Sequence, residues 1–219
     1  MEFNLVQTIA ISALPVIFAI TLHEAAHGYV AKLFGDNTAY ALGRISLNPL
    51  RHIDMVGTII VPLAILATSK LLGSGILFGW AKPVPVDFSA LRNPKRDMLW
   101  VAAAGPFANL LMAMFWACAL KFALITAHNA FTLPLSLMAE VGIKANLVLM
   151  VLNLLPILPL DGGRIAVSLL PHRLAYSYSR LEPYGFPILL LLLFTDTLGI
   201  ILNPALSLCL QLFESIFQI

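Results

Sequence analysis

Residues 20–30 read I-T-L-H-E-A-A-H-G-Y-V and close a run of mostly apolar positions that begins at Phe3. Two histidines and a glutamate therefore sit at the inner end of an oily segment. On a helix, residues four apart share a face, so His23 and His27 point the same way, one turn apart. Two imidazoles so placed can hold one metal ion. Glu24 is turned about 100° from them, too far to ligate easily but able to reach a water on that metal. This is the HExxH pattern, in which the glutamate is general base for hydrolysis. By average residue frequencies it arises by chance in a chain of this size less than about one time in a hundred. The bland alternative is a pair of buried histidines satisfying backbone carbonyls. Ionisable groups at membrane depth are costly and usually functional, which favours the metal.

The whole chain supports a lipid setting. Of its 219 residues, 60% are hydrophobic and 11% charged, and its mean hydropathy is +0.91. A soluble domain carries about a quarter charged residues. Several apolar runs approach the ~20 residues that cross a bilayer, so one integral membrane domain is expected over 1–219. The net charge of +2 gives no reason to expect nucleic acid. Cys118 and Cys209 lie in separate apolar segments and read as core thiols. Glu2 is acidic and no cleavage site follows, so the first run reads as a retained span.

Residues 3–34 read as one helix, stopped by Gly35-Asp36-Asn37. Residues 38–54 suit short interfacial strands or a loop. Segment 55–79 is apolar but broken by proline and glycines, and 80–97 is a polar, proline-rich link. Spans are expected at 98–127 and 135–157. Another is expected from about 184 to 202, interrupted by Thr195-Asp196-Thr197, with a marginal last segment after Asn203-Pro204. The fold class is thus all-α integral membrane, with about five to six transmembrane segments. The catalytic core is placed at about 1–170 and accessory helices at about 184–219.

A catalytic zinc takes three protein ligands and leaves a place for water. Candidates for the third are His52, His128, His172, Asp87, Asp97, Glu182, Asp196 and Asp161. Asp161 stands out. It ends a long apolar helix, follows Pro156 and Pro159, and precedes Gly162-Gly163, so the backbone there can unwind and turn a carboxylate sideways. Its alternative role is to cap the helix that starts at Gly162. Asn109 and Asn153 are the other polar groups noted inside spans. Their amides could hold substrate backbone, support the ligands, or join helices. Two rivals stand beside the protease reading. One is another membrane metalloprotease with Glu140 or Glu182 as third ligand. The other is a metal-binding carrier or scaffold, which needs no base at Glu24.

The pieces H-E-A-A-H at 23–27, G-P-F-A-N at 105–109 and N-L-L-P-I-L-P-L-D-G-G-R at 153–164 together resemble the site-2 protease family of intramembrane zinc metalloproteases. The resemblance covers about residues 1–185. The stretches G-R-I-S-L-N-P-L-R-H-I-D and G-W-A-K-P-V-P-V are similar to a compact subgroup without PDZ or CBS domains. It implies one Zn2+ held by His23, His27 and Asp161, with Glu24 activating water and Asn109 and Asn153 orienting substrate. It further implies a transmembrane protein substrate, cut in or near its membrane segment. Met55 follows H-I-D where the family pattern has proline. Homo-oligomerisation is left open.

The metal also constrains the path through the membrane. His23 and His27 lie near the end of one span and Asp161 just past the end of another, so those spans must run in the same direction. The span at 98–127 lies between them. A further full crossing at 55–79 would leave the ligands roughly 30 Å apart. Segment 55–79 is therefore expected to be re-entrant. That path gathers eleven of the thirteen basic residues on one side, leaving Lys121 and Lys144 opposite. By the positive-inside rule the crowded side is the cytoplasm of a prokaryotic cell, and the active site faces it. An edge strand within 40–50 is expected to pair with an unwound substrate.

Overall fold

The computed structural model describes residues 5–61, 79–126 and 129–219. Helix α1 (Leu5–Leu33) carries the H-E-A-A-H pattern. A single turn, α2 (Thr38–Ala41), follows. The long helix α3 (Pro94–Ile125) starts with proline in its first turn, where the missing N–H costs nothing. It is followed by α4 (Thr132–Asn153), α5 (Asp161–Leu169) and α6 (His172–Ser179). Helices α7 (Glu182–Phe194) and α8 (Thr197–Phe217) complete the chain. Among the described residues four helices, within α1, α3, α4 and α8, are long and apolar enough to cross a bilayer. The protein is thus a multi-pass membrane protein, all-helical among the described residues.

Helices α1, α3 and α4 pack together around the polar site. His27 of α1 bonds Val101 of α3, and Asn109 of α3 bonds Ala19 of α1, so the two helices are antiparallel. Asn109 also meets Asn146, while Trp116 lies against Gly142, so α3 and α4 are antiparallel too. Helices α1 and α4 therefore run in the same direction, as one shared metal requires. A tight apolar cluster locks α3 to α4 away from the site. It is built from Ala113, Trp116, Ala117 and Leu120 against Ala139, Ile143 and Leu147, with Phe213 of α8 closing it. The alanines let the backbones approach where lipid gives no hydrophobic drive for association.

Two expectations need correction. No strand occurs among the described residues, and 38–54 is not an edge for pairing. Local bonds take the backbone groups a ladder would use. Asp36 Oδ1 accepts from the Thr38 N–H, starting α2. Gly43 turns the chain at φ +62°, and Asn48 Oδ1 caps a 3-10 turn over Pro49–His52. The C-terminal helices divide at the Thr195-Asp196-Thr197 interruption and not at Asn203-Pro204. Asp196 takes the left-handed conformation at φ 55°, and α8 then runs through Asn203-Pro204 to Phe217. Thr195 Oγ1 bonds the Leu191 carbonyl and meets the Thr197 hydroxyl, so local polar bonds outcompete the helix there. The 13 residues of α7 span only about 20 Å, less than the hydrocarbon core.

The re-entrant course expected for 55–79 falls largely on residues outside the described ones. Its described start, Met55–Ile60, is a wide π-type turn whose first N–H groups bond Asp54. Its two described ends meet. Trp80 N–H donates to the Gly57 carbonyl at 3.0 Å, and the Thr58 hydroxyl donates to the Trp80 carbonyl at 2.8 Å.

Candidate metal centre

The four-residue spacing on α1 brings His23 and His27 edge to face, with Nε2 atoms 3.1 Å apart. The third group comes from far along the chain. After α4 the backbone turns over 154–160, and Asp161 opens α5. Its carboxylate does not cap that helix. It faces the histidines, with Oδ1 3.3 Å from His27 Nε2 and Oδ2 3.3 Å from His23 Nε2. All three residues are buried.

The hydrogen bonds behind the imidazoles settle their tautomers. His27 Nδ1 lies 2.7 Å from the Val101 carbonyl, which can only accept. His23 Nδ1 lies 2.6 Å from Asn109 Oδ1. The orientation of Asn109 is fixed in turn, because its Nδ2 donates to the Ala19 carbonyl and to Asn146 Oδ1. Asn146 Nδ2 donates to the Gly142 carbonyl. Only this arrangement gives every group in the chain a partner. Both Nδ1 atoms therefore carry a hydrogen, and in its neutral form each ring presents the Nε2 lone pair to the cluster.

Four acceptors thus converge without a donor among them: two imidazole nitrogens and two carboxylate oxygens. Asp161 Oδ2 is buried with no hydrogen-bond partner. Such a cluster needs a cation to be stable. Nitrogen and carboxylate donors, each imidazole oriented by a bond behind it, suit zinc. Among the described residues these three are the one group of metal-binding side chains whose ligand atoms all lie within 4.8 Å of one another. The facing helix leaves room for them at Gly105. A Cβ there would stand 2.3 Å from His27 Nε2 and 2.7 Å from His23 Nε2.

Glu24 is half-buried beside this group. Its Oε2 accepts a 2.8 Å hydrogen bond from the Val84 N–H. The other candidates lie elsewhere. His52 bonds the Ser46 carbonyl, Asp97 accepts from the Asn93 N–H, and Asp87 from Ser89. Glu182 pairs with Arg164 at 3.3 Å, both well exposed. Glu140 and His172 are exposed, and Asp196 sits at the break before α8. His128 lies outside the described residues. Asn153 is half-buried and gives its amide to the Leu149 carbonyl of its own helix. A cavity of about 670 Å3, lined in part by Lys95, Leu158, Arg164, His172 and Glu182, opens one turn of α5 beyond Asp161.

The "Putative zinc metalloprotease YwhC" of Bacillus subtilis is 37% identical over 213 residues, covering 92% of this chain and 90% of its own length. The chain belongs to this zinc metalloprotease family. In Mycolicibacterium smegmatis and Mycobacterium tuberculosis, two chains named "Putative zinc metalloprotease Rip2" are 31% and 29% identical. Each matches 84% of this metalloprotease over 66% of its own length. No family model and no solved structure matches.

Two residues of the metalloprotease's site were not singled out from sequence. Asn146 is fully buried in α4 and orients Asn109. Its signal was present, as a lone amide inside an apolar span. Val84 acts through its backbone, which side-chain chemistry does not reveal.

Proposed function

We propose that this chain is an intramembrane zinc endopeptidase of the site-2 type, cutting peptide bonds in or near transmembrane segments of other membrane proteins. The observation that carries this reading is the donor-free cluster of His23, His27 and Asp161 at the packed ends of three apolar helices. His23 Nε2, His27 Nε2 and the Asp161 carboxylate would hold the ion. The chemistry zinc supplies when bound there is Lewis acidity, which acidifies a water and polarises a peptide carbonyl.

Glu24 takes the proton of the attacking water and returns it to the leaving amine nitrogen. Asn109 is fully buried, with its oxygen on His23, so its role is to hold that ring rather than to touch substrate. Asn153 is left as the amide available to substrate. The cavity beside α5 is the water route. A substrate helix must unwind before its carbonyls become accessible.

Several further points belong to the same reading. All of 1–219 forms one domain, with its catalytic core in about 1–170. By the positive-inside rule the basic residues support a site at the cytoplasmic face of the cell membrane. The test compares membrane-protein fragments in cells expressing wild type or Glu24→Gln. Zinc content should be equal and defined fragments should vanish in the variant. Identical fragment patterns, with zinc bound in both, would remove the protease reading.

A further inference from the structure

Residues 82–87, K-P-V-P-V-D, form an irregular strap laid across α1. It is fixed at both ends. The Arg44 guanidinium donates to the Lys82 and Pro83 carbonyls at 2.9 and 3.2 Å. The Lys82 N–H donates to the His52 carbonyl at 2.9 Å. At the far end the Asp87 N–H donates to Asp36 Oδ2 at 2.7 Å, and Asp36 is completely buried.

Between these anchors the sequence is Pro83-Val84-Pro85. Proline has no N–H, so this stretch offers one backbone donor, that of Val84. Each proline also biases the residue before it towards extended backbone, which stiffens the strap. That lone N–H is spent on Glu24 Oε2 at 2.8 Å. The Val84 side chain is buried against the same face of α1. Glu24 and Gly28 share that face, one turn apart. A Cβ at Gly28 would meet Val84 Cγ1 at 2.9 Å and Ile45 Cγ1 at 3.0 Å, so glycine admits the strap to this depth.

We infer that the strap is a positioning element for Glu24, with the Val84 N–H anchoring one carboxylate oxygen so that the other is left for the reacting water. The inference rests on the protease reading above. A carboxylate on a two-carbon stem has several rotamers, and a single charge-assisted bond selects one. No side chain on the strap is needed for this. The substrate gains nothing directly from it, so its loss should lower kcat and leave KM and metal content alone.

The test uses the full chain in detergent or lipid. Val84→Pro removes the N–H within a run already extended, and Val84→Ala keeps the N–H. Against a substrate the wild type cuts, Val84→Pro should retain zinc and KM but lose about 10- to 100-fold in kcat, the scale of a misplaced catalytic group. Val84→Ala should recover most of that loss. A second measurement needs no activity. The Val84 amide should exchange slowly with deuterium in wild type and at least tenfold faster in Glu24→Ala. Undiminished kcat in Val84→Pro, equal losses in both variants, or unchanged exchange in Glu24→Ala would each overturn the inference. If Val84→Pro does not fold, the exchange result decides. A wild-type chain that cuts no substrate would instead overturn the protease reading.

Discussion

Gly105→Ala isolates the metal site from the fold. The substitution adds one carbon to the middle of α3, facing α1. That carbon would stand 2.3 Å from His27 Nε2, 2.6 Å from His23 Cε1 and 2.7 Å from His23 Nε2. Ordinary contacts between such atoms are about 3.5 Å, so both imidazoles must retreat by roughly 1 Å. Functional metal ligands must hold their distances within about 0.2 Å. Neither ring is free to retreat, because each is held from behind, at Asn109 and Val101. The helix itself should tolerate the change, since alanine favours helix over glycine by about 1 kcal/mol. Changes behind metal ligands typically cost about 10- to 100-fold in affinity. This one intrudes among the ligands themselves and should cost at least about 100-fold, or roughly 2.7 kcal/mol. The assay is zinc per chain after dialysis against a graded chelator, with helix content from circular dichroism. Zinc should be lost while helix content is unchanged. One zinc per chain at wild-type affinity would refute the geometry on which the whole site rests.

Asn109→Ala removes the acceptor behind His23 and should weaken zinc binding by about 10- to 100-fold, read in the same chelator competition. Asn146→Leu leaves Asn109 Nδ2 with the Ala19 carbonyl alone; zinc affinity should fall less than in Asn109→Ala, with about 1 kcal/mol of stability lost in denaturant titration. Stripping the metal leaves four acceptors facing one another, so Tm should drop. Adding zinc at about 100 times its Kd should restore about 2.7 kcal/mol, which a thermal melt against zinc concentration measures. Glu24→Gln should hold zinc as tightly as wild type yet lose about 100- to 10,000-fold in cleavage, since its charge serves proton transfer rather than ligation.

How much of this was readable in advance varies with the physics involved. His23 and His27 were legible because helical periodicity turns a four-residue spacing into a shared face. Asp161 was legible because prolines and glycines around a carboxylate mark an interrupted helix, and helix direction constrained which ends could meet. The region 38–54 was not. Its apolar and polar residues mix without a clear period, and side-chain capping by Asp36 and Asn48 decided the outcome. Thr195-Asp196-Thr197 was legible as an interruption, but Asn203-Pro204 looks like the stronger break in water. Inside a membrane helix a proline is tolerated, and the threonine hydroxyls around Asp196 end α7 first. Asn146 is a lone amide in an apolar span, where a residue that joins helices and one that orients a ligand's support look alike. The Val84 donor belongs to the backbone, and only the fold could reveal its target.

The separation of the ligands along the chain carries a consequence for biosynthesis. Both imidazoles emerge with the first helix, whereas the aspartate follows α4, and chains are made from the N-terminus onward. Until α4 is in place and the turn after it has closed, no ion can be gripped from three sides. A half-made copy therefore carries two of its three metal-binding side chains and cannot close the site before α5 is reached.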